Sequence, residues 1–202
     1  MDQSPTDAEV ISASFDNPAA FAELFERHAS VLGAYLVRRV GKADGESLLG
    51  ESFRIAFESR HRFDQTRSDA RPWLYGIGSN LVMKHFRSQQ RHVNAMSRLT
   101  VQIVDLETPF DESITENSHW VELWNRVAPG LDDLQTRDRE VVMLYVFGGL
   151  SYSDIAAALE IPVGTVRSRL NRARRSMRRL AEDSGSPRPP LNSPRTGDTQ
   201  ND

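Results

Sequence analysis

The sequence predicts an all-α fold divided into two small helical domains, and three observations carry that expectation. Apolar residues recur three and four apart over most of the chain, and the N-terminal half lacks the strand-then-helix alternation of an α/β fold. Between Leu99 and Asn125 there is no Lys or Arg; Asp105, Glu107, Asp111, Glu112, Glu116 and Glu122 supply the charge around Pro109, which reads as a linker. Beyond it, Leu150 to Leu180 reads as two short helices at a fixed angle, the second heavily basic.

The chain of 202 residues, 39% of them hydrophobic, is long enough for one medium core or two small ones. Its formal net charge of -3 would argue against a polyanionic partner if it were evenly spread. Acids and bases are segregated along the chain, however, and local sign decides more than the sum. The absence of cysteine excludes disulfides, thiolate metal sites, cysteine nucleophiles and a thiol redox sensor. No signal-peptide core opens the chain, and no apolar run approaches the roughly 20 residues that span a bilayer, so a soluble, cytoplasmic protein is expected.

Taken in order, residues 1–14 read as a flexible lead-in. Residues 15–98 form the first domain, 99–117 the acidic linker, 118–182 the second domain and 183–202 a Ser, Pro and Gly-rich disordered tail. Asn17-Pro18 starts a helix whose stripe is Phe21, Leu24, Phe25, His28, Leu32, Tyr35, Leu36 and Val40, and Gly41 ends it. His28 belongs to that stripe, and as a lone histidine it has no second metal ligand at suitable spacing. A second helix runs from Asp44 to about Ser59 with Leu49, Phe53, Ala56 and Phe57 inward. Beside them Leu48, Ser52 and Ile55 form another strip, flanked by Asp44, Glu46 and Glu51; such a helix is either buried on two sides or offers a face to a partner.

Arg60 to Asp69 is a polar loop around Phe63, and Pro72 opens a long helix with Trp73, Leu74, Ile77, Leu81, His85 and Phe86 on its apolar strip. Gly76, Gly78 and Ser79 weaken helix propensity there but permit close packing. The far half turns basic at Lys84, His85, Arg87, Arg91, His92 and Arg98. Aromatic and basic groups interleaved in this way suit unstacked bases and their phosphates; the plainer reading is a hydrophobic helix with a solvated basic end. In the second domain, Trp120, Leu123, Trp124 and Val127 precede Pro129-Gly130, and Thr136 is positioned to cap a helix carrying Val141, Leu144, Tyr145 and Phe147.

Gly148-Gly149 closes that helix, and Ser151 with Asp154 three residues on has the form of a capping box. Tyr152, Ile155, Ala156 and Leu159 then mark a short helix, and Pro162 forces a break before a second one. From Ile161 to Ala181 the second helix carries seven arginines and no acid. Exposed helices usually mix signs to gain i,i+4 pairs, so a one-sign helix behind a short helix and turn points to a helix-turn-helix, whose second helix enters the major groove. Thr165, Arg167, Ser168 and Arg169 are placed to meet base edges, with Arg172, Arg175 and the later arginines gripping phosphates.

Three stretches carry a family resemblance: DGESLLGESF from Asp44 to Phe53, RPWLYGIGSNL from Arg71 to Leu81, and IAAALEIPVGTVRSRLNRAR from Ile155 to Arg174. With the Phe21 to Arg39 stripe they resemble the small two-domain bacterial sigma factors of the extracytoplasmic-function group, part of the sigma-70 family. The resemblance implies a region 2-like helical bundle and a region 4-like helix-turn-helix domain. It implies that Asp44, Leu48, Leu49, Glu51 and Phe53 dock the clamp of core RNA polymerase, whose flap meets the second domain. Phe63, Trp73, Asn80, Lys84, Arg87 and Arg91 would melt and read the minus-ten promoter element on the non-template strand. Thr165, Arg167, Ser168, Arg169, Arg172 and Arg175 would read the minus-thirty-five element in duplex DNA. An anti-sigma partner is implied, and no cofactor, metal or catalytic residue. Four positions depart from the family pattern: Ser47, Gly50, Lys84, and Glu160 in a turn where glycine is usual.

A stand-alone helix-turn-helix regulator is the other reading of the C-terminal half, since Thr136 to Leu170 also resembles the output domain of response regulators. The Trp73 to Asn80 match and the missing receiver pattern weigh against it. Enzyme signatures are absent: there is no HExxH, P-loop or GxSxG.

Overall fold

Thr6 opens the first helix, α1 (Asp7–Asp16), through a capping box in which its hydroxyl accepts from the Glu9 amide while the Glu9 carboxylate accepts from the Thr6 amide. The computed structural model describes residues 4–96 and 134–183, and among these every regular element is helical. The ordered α1 corrects the expected lead-in: it buries Val10, Ile11 and Ser14 against the first helical group. Its apolar stripe is short and interrupted by serine and alanine, so periodicity alone does not reveal it. The linker over 99–117, the Trp120 to Pro129 segment and the tail beyond 183 lie outside the described residues.

A single 3-10 turn, Pro18–Phe21, leads into α2 (Ala22–Val40), which buries Leu24, His28, Leu32, Tyr35, Leu36 and Arg39. Gly41 alone, at φ 85°, reverses the chain into α3 (Lys42–Glu58). The two helices cross closely because Gly45 has no Cβ, which would stand 2.7 Å from the Val37 backbone. After the 3-10 turn Arg60–Arg62 and a loop, α4 (Arg71–Met96) runs back across α2 and α3.

The small residues of α4 serve two neighbours. Gly78 lies under Leu32 and Leu36 of α2, as expected of a close-packing patch. Gly76 faces the other way, where an added Cβ would sit 2.6 Å from the Ala158 carbonyl oxygen of the C-terminal group. Among the described residues that group contains α5 (Thr136–Val146), α6 (Tyr152–Ala158) and α7 (Val163–Asp183). Thr136 is the first residue of α5 rather than its cap; Gln135 precedes it with no side-chain capping bond.

The two helical groups share one apolar core, from Val10 and Leu24 through Leu74 and Tyr75 to Val141, Leu144, Ile155 and Leu170. Glu140 of α5 crosses between them, paired with Arg39 and accepting from the Tyr35 hydroxyl, which also contacts Ser79 Oγ at 3.0 Å. Arg71 donates to the Gly148 carbonyl at 2.7 Å, and Arg38 lies over the Phe147 ring at 5.1 Å.

Candidate nucleic-acid and polymerase interfaces

The α6–turn–α7 unit is fixed from its ends inward. Ser151 Oγ accepts from the Asp154 amide at 3.2 Å, and the Asp154 carboxylate accepts from the Ser151 amide at 3.3 Å, completing the expected box. Glu160 takes φ 51° to turn the chain, the left-handed conformation expected of the position that glycine usually fills. The Ile161 amide reaches back to the Ala156 carbonyl at 3.0 Å, and Pro162 accepts from Thr165 at 2.8 Å to start α7. Ile155, Ala156, Val166, Leu170 and Ala173 are buried between the helices and set their crossing.

With Val166, Leu170 and Ala173 inward, helical geometry presents Arg167, Ser168 and Arg175 to solvent, with Thr165 and Arg169 half-buried. Arg167, Arg169 and Arg175 have no carboxylate partner among the described residues. Ser168 Oγ donates to the Thr165 carbonyl at 2.9 Å, which leaves the hydroxyl oxygen free to accept. Arg172 differs: its Nε and one terminal nitrogen each donate at 2.8 Å to Asp138, a buried carboxylate at the start of α5. That pair of hydrogen bonds holds the guanidinium in one plane and pushes its pKa up. An acid in the first turn of α5 was visible in the sequence; its partner 34 residues away was not.

On α4, Asn80, Lys84, Arg87 and Arg91 recur at helical spacing and are all exposed. Lys84, Arg87, Gln90 and Arg91 line a shallow basic hollow of about 410 Å³. Trp73 stands half-buried at the other end of the helix, its ring 5.3 Å from that of Phe63. Phe63 is itself only 5% exposed, so it backs Trp73 and does not offer a face to a base.

Along α3, Asp44 is exposed while Leu48, Leu49 and Glu51 are half-buried. Leu49 packs within 3.2 Å of where a Gly33 side chain would begin. Glu51 accepts from Arg54 at 2.6 and 2.8 Å; the Arg54 hydrogen bonds first, and the nearby Lys84 charge as well, hold its carboxyl below the usual range. Phe53 is 6% exposed and edge-on to Phe25 at 4.8 Å, so it belongs to the frame behind this face. Ser52 is fully buried and donates to the Leu48 carbonyl, so the second strip of α3 narrows to Leu48 and Ile55.

Under the first helical group, Asp7, His28 and Asp69 bring three ligand-type atoms within 4.8 Å of one another. The Asp7 carboxylate is already committed there, accepting from Arg27 at 3.0 Å and the Ala70 amide at 2.9 Å and meeting His28 Nε2 at 2.7 Å. A guanidinium and an amide proton on the same carboxylate disfavour a metal cation. His28 is on its stripe as read from the sequence, but Asp7 was passed over with the lead-in.

Two family models match this chain: sigma-70 region 2 over residues 24–92, and sigma-70 region 4 over residues 131–177. An extracytoplasmic-function RNA polymerase sigma factor of Mycobacterium tuberculosis, SigC, is 36% identical over 148 residues, covering 71% of this chain and 72% of the relative. The solved structure of CnrH in complex with the cytosolic domain of CnrY aligns with a TM-score of 0.60 at 27% identity, covering 89% of this chain and 99% of that one. The sigma factor RpoE of Bartonella quintana, solved with the anti-sigma factor NepR, shares the fold at a TM-score of 0.58 and 22% identity, over 80% of this chain and 96% of that one. With both regions matched on one continuous chain, this protein belongs to the sigma-70 family, in its extracytoplasmic-function group.

Proposed function

We propose that this chain binds core RNA polymerase in the cytoplasm and directs it to promoters, supplying recognition and melting while the core enzyme supplies all nucleotide chemistry. The observation that carries this is the presence, on one chain with both region matches, of two separate exposed basic stripes, Asn80 to Arg91 on α4 and Arg167 to Arg175 on α7. One reader of duplex DNA needs only the second. The first, on the same helix as the half-buried Trp73, has the charge and aromatic character that an unstacked strand requires.

In this reading Trp73, Asn80, Lys84, Arg87 and Arg91 meet the minus-ten element, with Phe63 supporting Trp73 from behind. Thr165, Arg167, Ser168 and Arg169 meet minus-thirty-five base edges, and Arg172 and Arg175 its phosphates. Asp44, Leu48, Leu49 and Glu51 dock the polymerase clamp, with Phe53 beneath them, and the second domain meets the flap. The domains divide at about 98 and 118, and the acidic linker between them runs toward the active-site cleft. The α1 helix joins the first domain. An anti-sigma partner of the kind that RpoE carries would regulate these surfaces, and the protein is not an enzyme and uses no cofactor.

The test is run-off transcription by core bacterial RNA polymerase on pooled genomic promoter fragments, with and without the protein. Discrete protein-dependent start sites are expected. Arg169→Glu should abolish them while core binding persists, and the double change Leu48→Asp, Leu49→Asp should abolish core binding in a chain that still melts cooperatively. A protein that shifts duplex DNA yet neither binds core polymerase nor alters initiation would instead be a stand-alone regulator.

A further inference from the structure

Asp7 lies ahead of both family-model matches and outside every promoter contact proposed above, yet its buried carboxylate meets three other residues, Arg27, His28 and Ala70. What it fixes is specific. The loop leading into α4 leaves its six residues 64–69 all exposed. Its first end is set by the buried Phe63 ring against Trp73 and by an Asp64 turn, where Oδ1 accepts from the Thr66 amide and hydroxyl at 3.1 and 2.7 Å. Its other end is held by Asp7 twice: the Asp7 amide donates to the Ser68 carbonyl at 3.1 Å, and the Asp7 carboxylate accepts from the Ala70 amide at 2.9 Å. His28 and Arg27, both on α2, hold that carboxylate from the far side.

The loop is therefore pinned at both ends beside Trp73, with polar side chains between the pins. An enzyme or binding protein that takes up an extruded base needs that arrangement formed beforehand, because every residue left to be ordered at binding lowers affinity and blurs discrimination. We propose that Asp7 is a positioning residue for minus-ten recognition: it fixes the Ser68–Ala70 end of the loop, and so sets where the loop's polar side chains stand when a base is extruded beside Trp73. The proposal rests on the minus-ten reading given above.

The experiment uses the full chain with core polymerase and two promoter pools, one randomised at minus-ten with minus-thirty-five fixed, the other the reverse. Transcribed templates are sequenced for the wild type, Asp7→Asn and Arg27→Gln. Asp7→Asn should lower base preference at one or two minus-ten positions by about tenfold, the size of loss expected when a base pocket is loosened, with minus-thirty-five preference and core affinity unchanged. Arg27→Gln removes one donor from the same carboxylate and should give a smaller loss at the same positions; it carries the test if Asp7→Asn folds poorly. An unchanged minus-ten profile, or equal losses at both elements, would make Asp7 a general anchor and overturn the proposal. A wild-type protein that initiates with no minus-ten preference would show instead that the minus-ten reading is wrong, and the role of Asp7 would fall with it.

Discussion

Asp7 shows how one side chain can turn an unpromising N-terminus into structure. Burial alone would push its carboxyl up, but the His28 hydrogen bond, the Ala70 amide and Arg27 outweigh burial and hold it down at about 2, from an ordinary 3.8. A folded-state pKa below the unfolded one adds stability that is complete above the unfolded value and is lost as pH falls through the folded value. Asp7→Asn should therefore cost roughly 2 kcal/mol at pH 7, and about half that difference should remain at pH 3. Urea denaturation of both proteins at pH 7, 4 and 3 measures it, and a gap that stayed constant with pH would remove the charge from the explanation. The sequence displayed this residue within a Thr-x-x-Glu box but hid its partners, which are 20 and more positions away. Spacing did place Phe53 inward, as found, but the burial of Phe63 was hidden for the same reason: helical spacing tells which residues share a face, not how deeply a neighbouring element covers a loop residue.

Elements were the most legible level where caps and breakers punctuate them. Ser151 and Asp154, Pro162, Gly41 and the stripes of α2 and α4 each correspond to an observed boundary or buried face, except that Phe25 of the α2 stripe is 45% exposed. Glycines inside helices were harder, because one letter stands for opposite situations. Gly50 is exposed on α3 with nothing within 4 Å of an added Cβ, so Gly50→Ala should raise stability by about 1 kcal/mol from helix propensity alone. Gly45, five residues earlier on the same helix, would place its Cβ 2.7 Å from the Val37 backbone. Gly45→Ala must push α2 and α3 apart and should destabilise despite the same propensity gain. Thermal melts of the two variants check the pair, and a destabilising Gly50→Ala would mean that α3 needs flexibility at that point.

At the scale of the whole molecule, the two helical groups have to separate to do what the chain is proposed to do. Elements centred at minus-ten and minus-thirty-five lie roughly 25 base pairs apart, about 85 Å of duplex at about 3.4 Å per step, and two groups that share one core cannot span it. The contact between them is partly apolar, at Gly76 against Ala158, and partly ionic, at Arg39 and Glu140, both about 5% exposed or less. No sequence signal announced this ion pair, since its partners stand 101 residues apart, although an acid set among the buried Val141, Val142 and Leu144 is itself unusual. Removing one member of a buried pair leaves the other desolvated, at a cost of about 3–5 kcal/mol, unless the structure opens and lets water reach it. Separating the groups would return water to the charge left behind, so Glu140→Gln should shift the chain toward the separated form. Because the chain has no cysteine, a label pair introduced by Ser30→Cys and Ser153→Cys can report the distance between α2 and α6 directly. Glu140→Gln should lengthen that distance and strengthen binding to a duplex minus-thirty-five fragment in the absence of polymerase. Arg39→Gln should act in the same direction, and the double variant should add little to either single one, since both remove the same pair. If label distance and duplex affinity stay at wild-type values in all three, apolar packing at Gly76 and Ala158 holds the groups together and the ion pair only sets their register.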